Sequence, residues 1–156
     1  MGIRLPLKNV LSISDTATTG TANYTFNLPQ DCQSIVVRLK TGATFTGTSP
    51  TLNCYIQTTE DGGTTWRDCG NLGQITAAVN NDSARFAVVS VAGAVGNRGL
   101  ATFIGSVNAS ATISNSMTGL PLLSTFGRIS LQYGGTQLTN TAVIVDVFTN
   151  SQDGAY

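Results

Sequence analysis

Apolar and polar residues alternate along most of the chain in short runs, and Gly, Asn or Pro bounds each run. A period of two marks strands that bury one face, and its recurrence predicts several short strands packed as a sandwich or barrel. Strands are predicted at about Val10–Ser14, Asn23–Leu28, Ser34–Lys40, Leu52–Thr59, Trp66–Asn71, Ala84–Val91, Arg128–Tyr133 and Val143–Thr149. In the stretch SIVVRLK, Ile35, Val37 and Leu39 share one face, with Val36, Arg38 and Lys40 on the other. Ala84–Val91 is largely apolar on both faces, with Phe86 and Val88 opposite Ala87 and Val89, which predicts a strand that is central or lies under a neighbour. Ile129, Leu131 and Tyr133 share a face, as do Val143, Val145 and Val147. The intervening GGTQLTNT reads as a turn joining the last two strands in an antiparallel hairpin. No segment keeps a helical period, and Ile75–Val79 offers at most one turn. The expected fold is all-β: an antiparallel, jelly-roll-like β-sandwich in a single domain spanning residues 1–156.

One interval breaks the alternation. Between residues 93 and 125, Gly, Ala, Ser, Asn and Thr dominate, and bulk comes only from Leu100, Phe103, Ile104, Val107 and Ile113 before the run Leu120–Leu123. A structureless loop of this length is abnormal in a compact domain and usually goes with function or a partner. Two readings fit it equally: an extended arm ordered against a neighbouring subunit, or a surface hairpin of variable length.

Composition changes the picture in one respect. Only 10% of residues are charged and the net charge is zero, whereas Thr occurs 23 times, Ser 13, Asn 12 and Gly 17. Polarity therefore rests on uncharged strand and turn residues, and little electrostatic repulsion separates one copy from another. The six arginines are dispersed singly and form no basic stripe, so neither nucleic acid nor a membrane surface is expected as a partner. The opening MGIRLPLKNVLSIS lacks the apolar core of a signal peptide, and no run approaches the length of a membrane span, so cytoplasmic synthesis is expected.

The chain contains no histidine. Serine and cysteine triads that depend on an imidazole base cannot be built from it, and the odd set Cys32, Cys54 and Cys69 has no zinc-site spacing. Buried free thiols are expected, with a Cys54–Cys69 disulfide as the alternative because the two flank one hairpin. No phosphate-binding glycine motif occurs, and the oxygen-rich spots at Asp61 and at Asn80-Asn81-Asp82 fall short of a calcium shell. No cofactor and no metal are expected. Tyr24, Tyr55, Tyr133, Tyr156 and Trp66 are candidates for a stacking platform, although alternating strand aromatics more often pack.

The sharpest local signal is the run from Thr59 to Trp66, TEDGGTTW, between two predicted strands. Asp61 is placed to accept bonds from its own turn, Gly62 and Gly63 tolerate positive φ, and Trp66 can cover the turn. Thr59, Asp61, Gly63, Thr65 and Trp66 thus form a structural motif of Asp-box type. The enzymes that carry Asp boxes are sialidase-like propellers, which repeat the motif; here it occurs once. Glu60 is the only glutamate, which leaves no pair of glutamates for glycoside hydrolysis.

The stretch LNCYIQTTEDGGTTWRDC, residues 52–69, resembles a segment of small structural proteins of tailed bacteriophages, and RISLQYGGT with AVIVDVF is similar to their closing strands. The resemblance covers about a third of the chain. It implies a non-enzymatic virion protein, most often a head decoration (cement) protein that bridges capsid subunits. The implied partners are the major capsid protein or other virion proteins, and the implied assembly is a homotrimer. A neck or tail component and a carbohydrate-binding host-recognition module are the alternatives.

Overall fold

A computed structural model describes residues 7–29, 32–59, 61–78, 84–90, 103–106 and 126–151. Those residues form nine strands and no helix: β1 Lys8–Asp15, β2 Gly20–Asn27, β3 Cys32–Thr41, β4 Phe45–Thr58, β5 Arg67–Asn71, β6 Arg85–Ser90, β7 Phe103–Ser106, β8 Phe126–Asn140 and β9 Val143–Ser151. They make two antiparallel sheets, β1-β9-β3-β6-β7 and β2-β8-β4-β5. With β7 set aside as an addition at one edge, the first strand pairs the last, the second the next to last, and so inward. That is the strand order of a jelly roll.

The period-two pattern accounts for the core. Ile35, Val37 and Leu39 of β3 and Val143, Val145 and Val147 of β9 are fully buried, and they face Leu52, Cys54 and Ile56 of β4 with Ile129 and Leu131 of β8. Ile13, Phe26, Ala87 and Val89 extend this layer toward the edges. Each such aliphatic side chain contributes roughly 1.5–3 kcal/mol through removal from water. As its two apolar faces require, β6 lies inside its sheet between β3 and β7; Ala87 and Val89 point inward and Phe86 and Val88 are half-buried outside.

The last two strands depart from expectation. They form no hairpin with each other: β8 pairs with β2 and β4, whereas β9 pairs with β1 and β3 in the other sheet. Instead of turning at GGTQLTNT, β8 continues to Asn140 and lines the first half of β4. Gly134 and Gly135 serve a bulged stretch there. One extra residue in β8 between Thr136 and Thr139 is offset by one in β4 between Thr48 and Thr51, where Ser49 takes a φ of 49°. The true connection is Thr141-Ala142. It runs beside the β3–β4 connection, and both cross from one sheet to the other at the same corner: the Gly42 N–H donates to the Ala142 carbonyl at 2.6 Å and the Thr141 N–H to the Thr44 carbonyl at 3.1 Å. A two-stranded ribbon thus folds over as a unit, with Val143 and Leu138 buried on either side of the bend.

Ile75 is extended rather than helical. It forms a bridge with Leu52, each N–H donating to the other's carbonyl at 2.8 Å. Of the glycine- and serine-rich interval 93–125, β7 pairs with β6, and the remainder lies outside the described residues.

Candidate functional site

The run from Thr59 to Trp66 closes the β4–β5 hairpin, and its hydrogen bonds are local, as the residue types predict. Thr59 Oγ1 donates to Asp61 Oδ1 at 2.8 Å and accepts the Gly63 N–H at 2.9 Å. The same Asp61 oxygen accepts the N–H groups of Thr64 at 3.0 Å and Thr65 at 2.8 Å. These donors, Thr65 first, favour the ionised carboxylate and hold Asp61 down to about 2. Gly62 and Gly63 have φ of 71° and 103°, a region that side chains resist. Trp66 Nε1 donates to the Gly63 carbonyl at 2.9 Å, so the indole folds back over the turn. All five motif residues are brought together.

Long-range contacts that the sequence did not announce fix this hairpin to the sheet. The Arg128 guanidinium lies 4.4 Å from the Trp66 ring centroid, and Phe126 packs against the same indole at 5.5 Å. Arg128 Nε donates to Gln57 Oε1 and Gln57 Nε2 donates to Asp68 Oδ1, both at 2.6 Å, which lays a polar row across β8, β4 and β5. The cross-strand register puts Arg128 opposite Gln57 and Gln57 opposite Asp68. A strand-pairing assignment would have revealed the row; no local motif does.

Among the described residues, the outer face of the other sheet has one ion pair. Arg38 Nη2 meets Asp146 Oδ2 at 2.5 Å, Ser12 Oγ donates to Asp146 Oδ1 at 2.7 Å, and Arg38 also lies over Phe148 at 5.8 Å. Burial alone would raise the Asp146 pKa, but the bonds from Ser12 and Arg38 outweigh it and hold the carboxyl below its usual range.

The described tyrosines do not assemble into a platform. The side chain of Tyr55 lies on the outer face, while Tyr24 and Tyr133 point into the sandwich on the side of Ile129 and Leu131. Tyr133 is 7% exposed; burial first, and the nearby Asp15 second, push its pKa upward. Tyr156 lies outside the described residues.

Cys32, Cys54 and Cys69 are buried and stand outside any disulfide, so the Cys54–Cys69 bridge is not formed. The hairpin register keeps the two apart: Tyr55 faces Asn71, so that Leu72, whose N–H bonds the Cys54 carbonyl, lies beside Cys54, while the Cys69 thiol donates to the Ile56 carbonyl. Burial pushes the Cys69 thiol up to about 12 and raises Cys54 as well, which keeps both protonated and unreactive. Among the described residues, no group of three His, Cys, Asp or Glu converges on a metal position, and no helix is long and apolar enough to cross a membrane. Asn80-Asn81-Asp82 lies outside them. The four described aspartates each accept a bond: Asp15 from the Ala17 N–H, Asp61 from its turn, Asp68 from Gln57 and Asp146 from Ser12 and Arg38. The chain matches no protein-family model, no curated protein and no solved structure.

Proposed function

We propose that this chain is a non-enzymatic structural protein of a bacteriophage virion that docks on the capsid surface and stabilises the shell by bridging its subunits. The observation that carries the reading is the chemistry of the exposed strand faces. Thr21, Asn23, Thr25 and Asn27 on β2, and Gln132, Thr136 and Thr139 on β8, all stand exposed without charge. Such surfaces form hydrogen bonds with a matched partner and meet little charge desolvation cost when buried. The carboxylates described above are each held as hydrogen-bond acceptors, which suits a scaffold better than acid–base work. Jelly rolls serve both capsid and lectin proteins, so the fold is compatible with this role without implying it. The resemblance of residues 52–69 to phage structural proteins supplies the virion context, the capsid partner and the trimeric assembly.

Binding to an assembled shell stabilises it by mass action, because only the shell presents the site. The test is to strip the protein from purified particles, heat stripped and reconstituted particles side by side, and score genome release. Release at a higher temperature after reconstitution is expected; identical curves overturn the cementing role. Labelling of the neck or tail instead of the head, in electron micrographs of the same particles, would move the protein to those sites.

A further inference from the structure

We propose that β2 is an adhesive edge at which two copies of this chain pair antiparallel, joining their β2-β8-β4-β5 sheets into one continuous sheet across a two-fold axis. Among the described residues the sandwich has four sheet edges, β1, β7, β2 and β5. Exposed edges invite pairing, and proteins blunt them with charge, proline, bulges or shortness. Three of these edges are blunted. β1 opens with Lys8, is bulged between Asn9 and Leu11 and turns Asp15 inward. β5 has five residues, begins Arg67-Asp68 and is bulged against β4. β7 has four residues.

β2 has none of these devices. It runs eight residues, GTANYTFN, with no charge and no proline, and its register with β8 is unbroken from Gly20 to Asn27. Among the described residues β8 is its one strand partner. Its outward side chains are exposed, so a neighbour can approach.

A second copy fits this edge because the sequence is self-complementary about Asn23. Face preservation requires outward residues to meet outward ones. Pairing Asn23 with itself then sets Thr21 opposite Thr25 twice, and on the inner side sets the small Ala22 opposite Tyr24. Thr–Thr pairs are favourable, the small residue makes room for the phenol, and no like charges meet. The contact is isologous and closes as a dimer. It is smaller than a standard interface, so a weak association is expected, in the micromolar range or above. The proposal deepens the self-association in the reading above but does not need the capsid: a three-fold contact elsewhere on the chain would combine with it to give hexamers where the two axes cross at right angles.

Sedimentation velocity from low micromolar to submillimolar concentration should show the wild-type chain moving from monomer to dimer, or from trimer to hexamer. Asn23→Lys, which sets two ammonium groups face to face, should weaken that step by about tenfold or more. The double variant Thr21→Glu/Thr25→Lys should retain it, because each glutamate then faces a lysine. All three side chains are exposed, and circular dichroism checks that the variants fold. For register, Asn23→Cys should yield a covalent dimer on mild oxidation and Thr25→Cys should not; the three native thiols are buried and leave the background low. Absence of the association step in the wild type, or equal cross-linking at both positions, overturns the proposal. Shell binding that survives this outcome leaves the capsid reading intact.

Discussion

The two ends of β4 are built on opposite principles. At its far end the Asp61 hairpin satisfies itself: Thr59, Asp61, Gly63 and Trp66 exchange bonds across at most four residues. At its near end the chain crosses between sheets, and the bonds that hold the crossing join distant residues, Thr44 with Thr141, 97 apart, and Gly42 with Ala142. One end is specified by a motif of eight residues. The other exists only when two distant connections meet, and neither connection is legible alone. Changes at the first end should therefore act locally, while changes along the ribbon at the second should act on the whole sandwich.

The largest expected effect lies on the ribbon. A Cβ at Gly135 would stand 2.5 Å from the Ser49 carbonyl oxygen and 2.9 Å from Pro50 Cα, at a φ of 97°. Backbone cannot yield as a side-chain tip can, so Gly135→Val should cost about 3 kcal/mol or more in urea denaturation. Gly62→Ala, also at positive φ but in open space, should cost about 1 kcal/mol. Equal costs would erase the contrast between the two ends. An intermediate effect is expected at Trp66, which is local to the turn yet tied to β8. Trp66→Ala removes its bond to Gly63 and the contacts with Arg128 and Phe126, for about 2 kcal/mol. Hydrogen exchange should quicken at Thr64 and Thr65 and leave β3 and β9 unchanged.

The smallest effect is a matter of pH. Asp61 has a folded-state pKa of about 2 against an ordinary 3.8, so its contribution is complete above about pH 4 and is lost as the pH falls through the folded value. The Thr64 and Thr65 amide resonances should titrate in that acid window while the core resonances hold. Titration near pH 4 would mean that the carboxylate is free of its turn.

Periodicity exposed what depends on neighbours in sequence. Ile35, Val37 and Leu39, or Val143, Val145 and Val147, declare their buried face by alternation, and the Asp61 turn declares itself by residue type. Partner choice does not work that way. Gly134-Gly135-Thr136 has the composition of a turn, yet glycines serve equally well where β8 must pass close to β4, Gly134 against the Thr51 side chain and Gly135 against the backbone of Ser49 and Pro50. What decides between turn and bulge is the stretch of β4 from Thr48 to Thr51, distant in sequence and paired with Gly134 and Thr136. The row Arg128, Gln57, Asp68 was hidden for the same reason: its members meet only once the register is fixed.

That late fixing bears on how the protein is made. β8 lies between β2 and β4 in one sheet, and β9 lies between β1 and β3 in the other. A chain emerging from the ribosome can pair β3 with β6, β6 with β7 and β4 with β5, but the strands that join β1 and β2 to these pieces do not exist until residues 126–151 appear. Both sheets must then be completed by insertion, a non-local and slow route that leaves open edges waiting. A nascent chain of this design is most exposed to its own siblings while it is being synthesised, and its folding is timed by the last two strands to arrive.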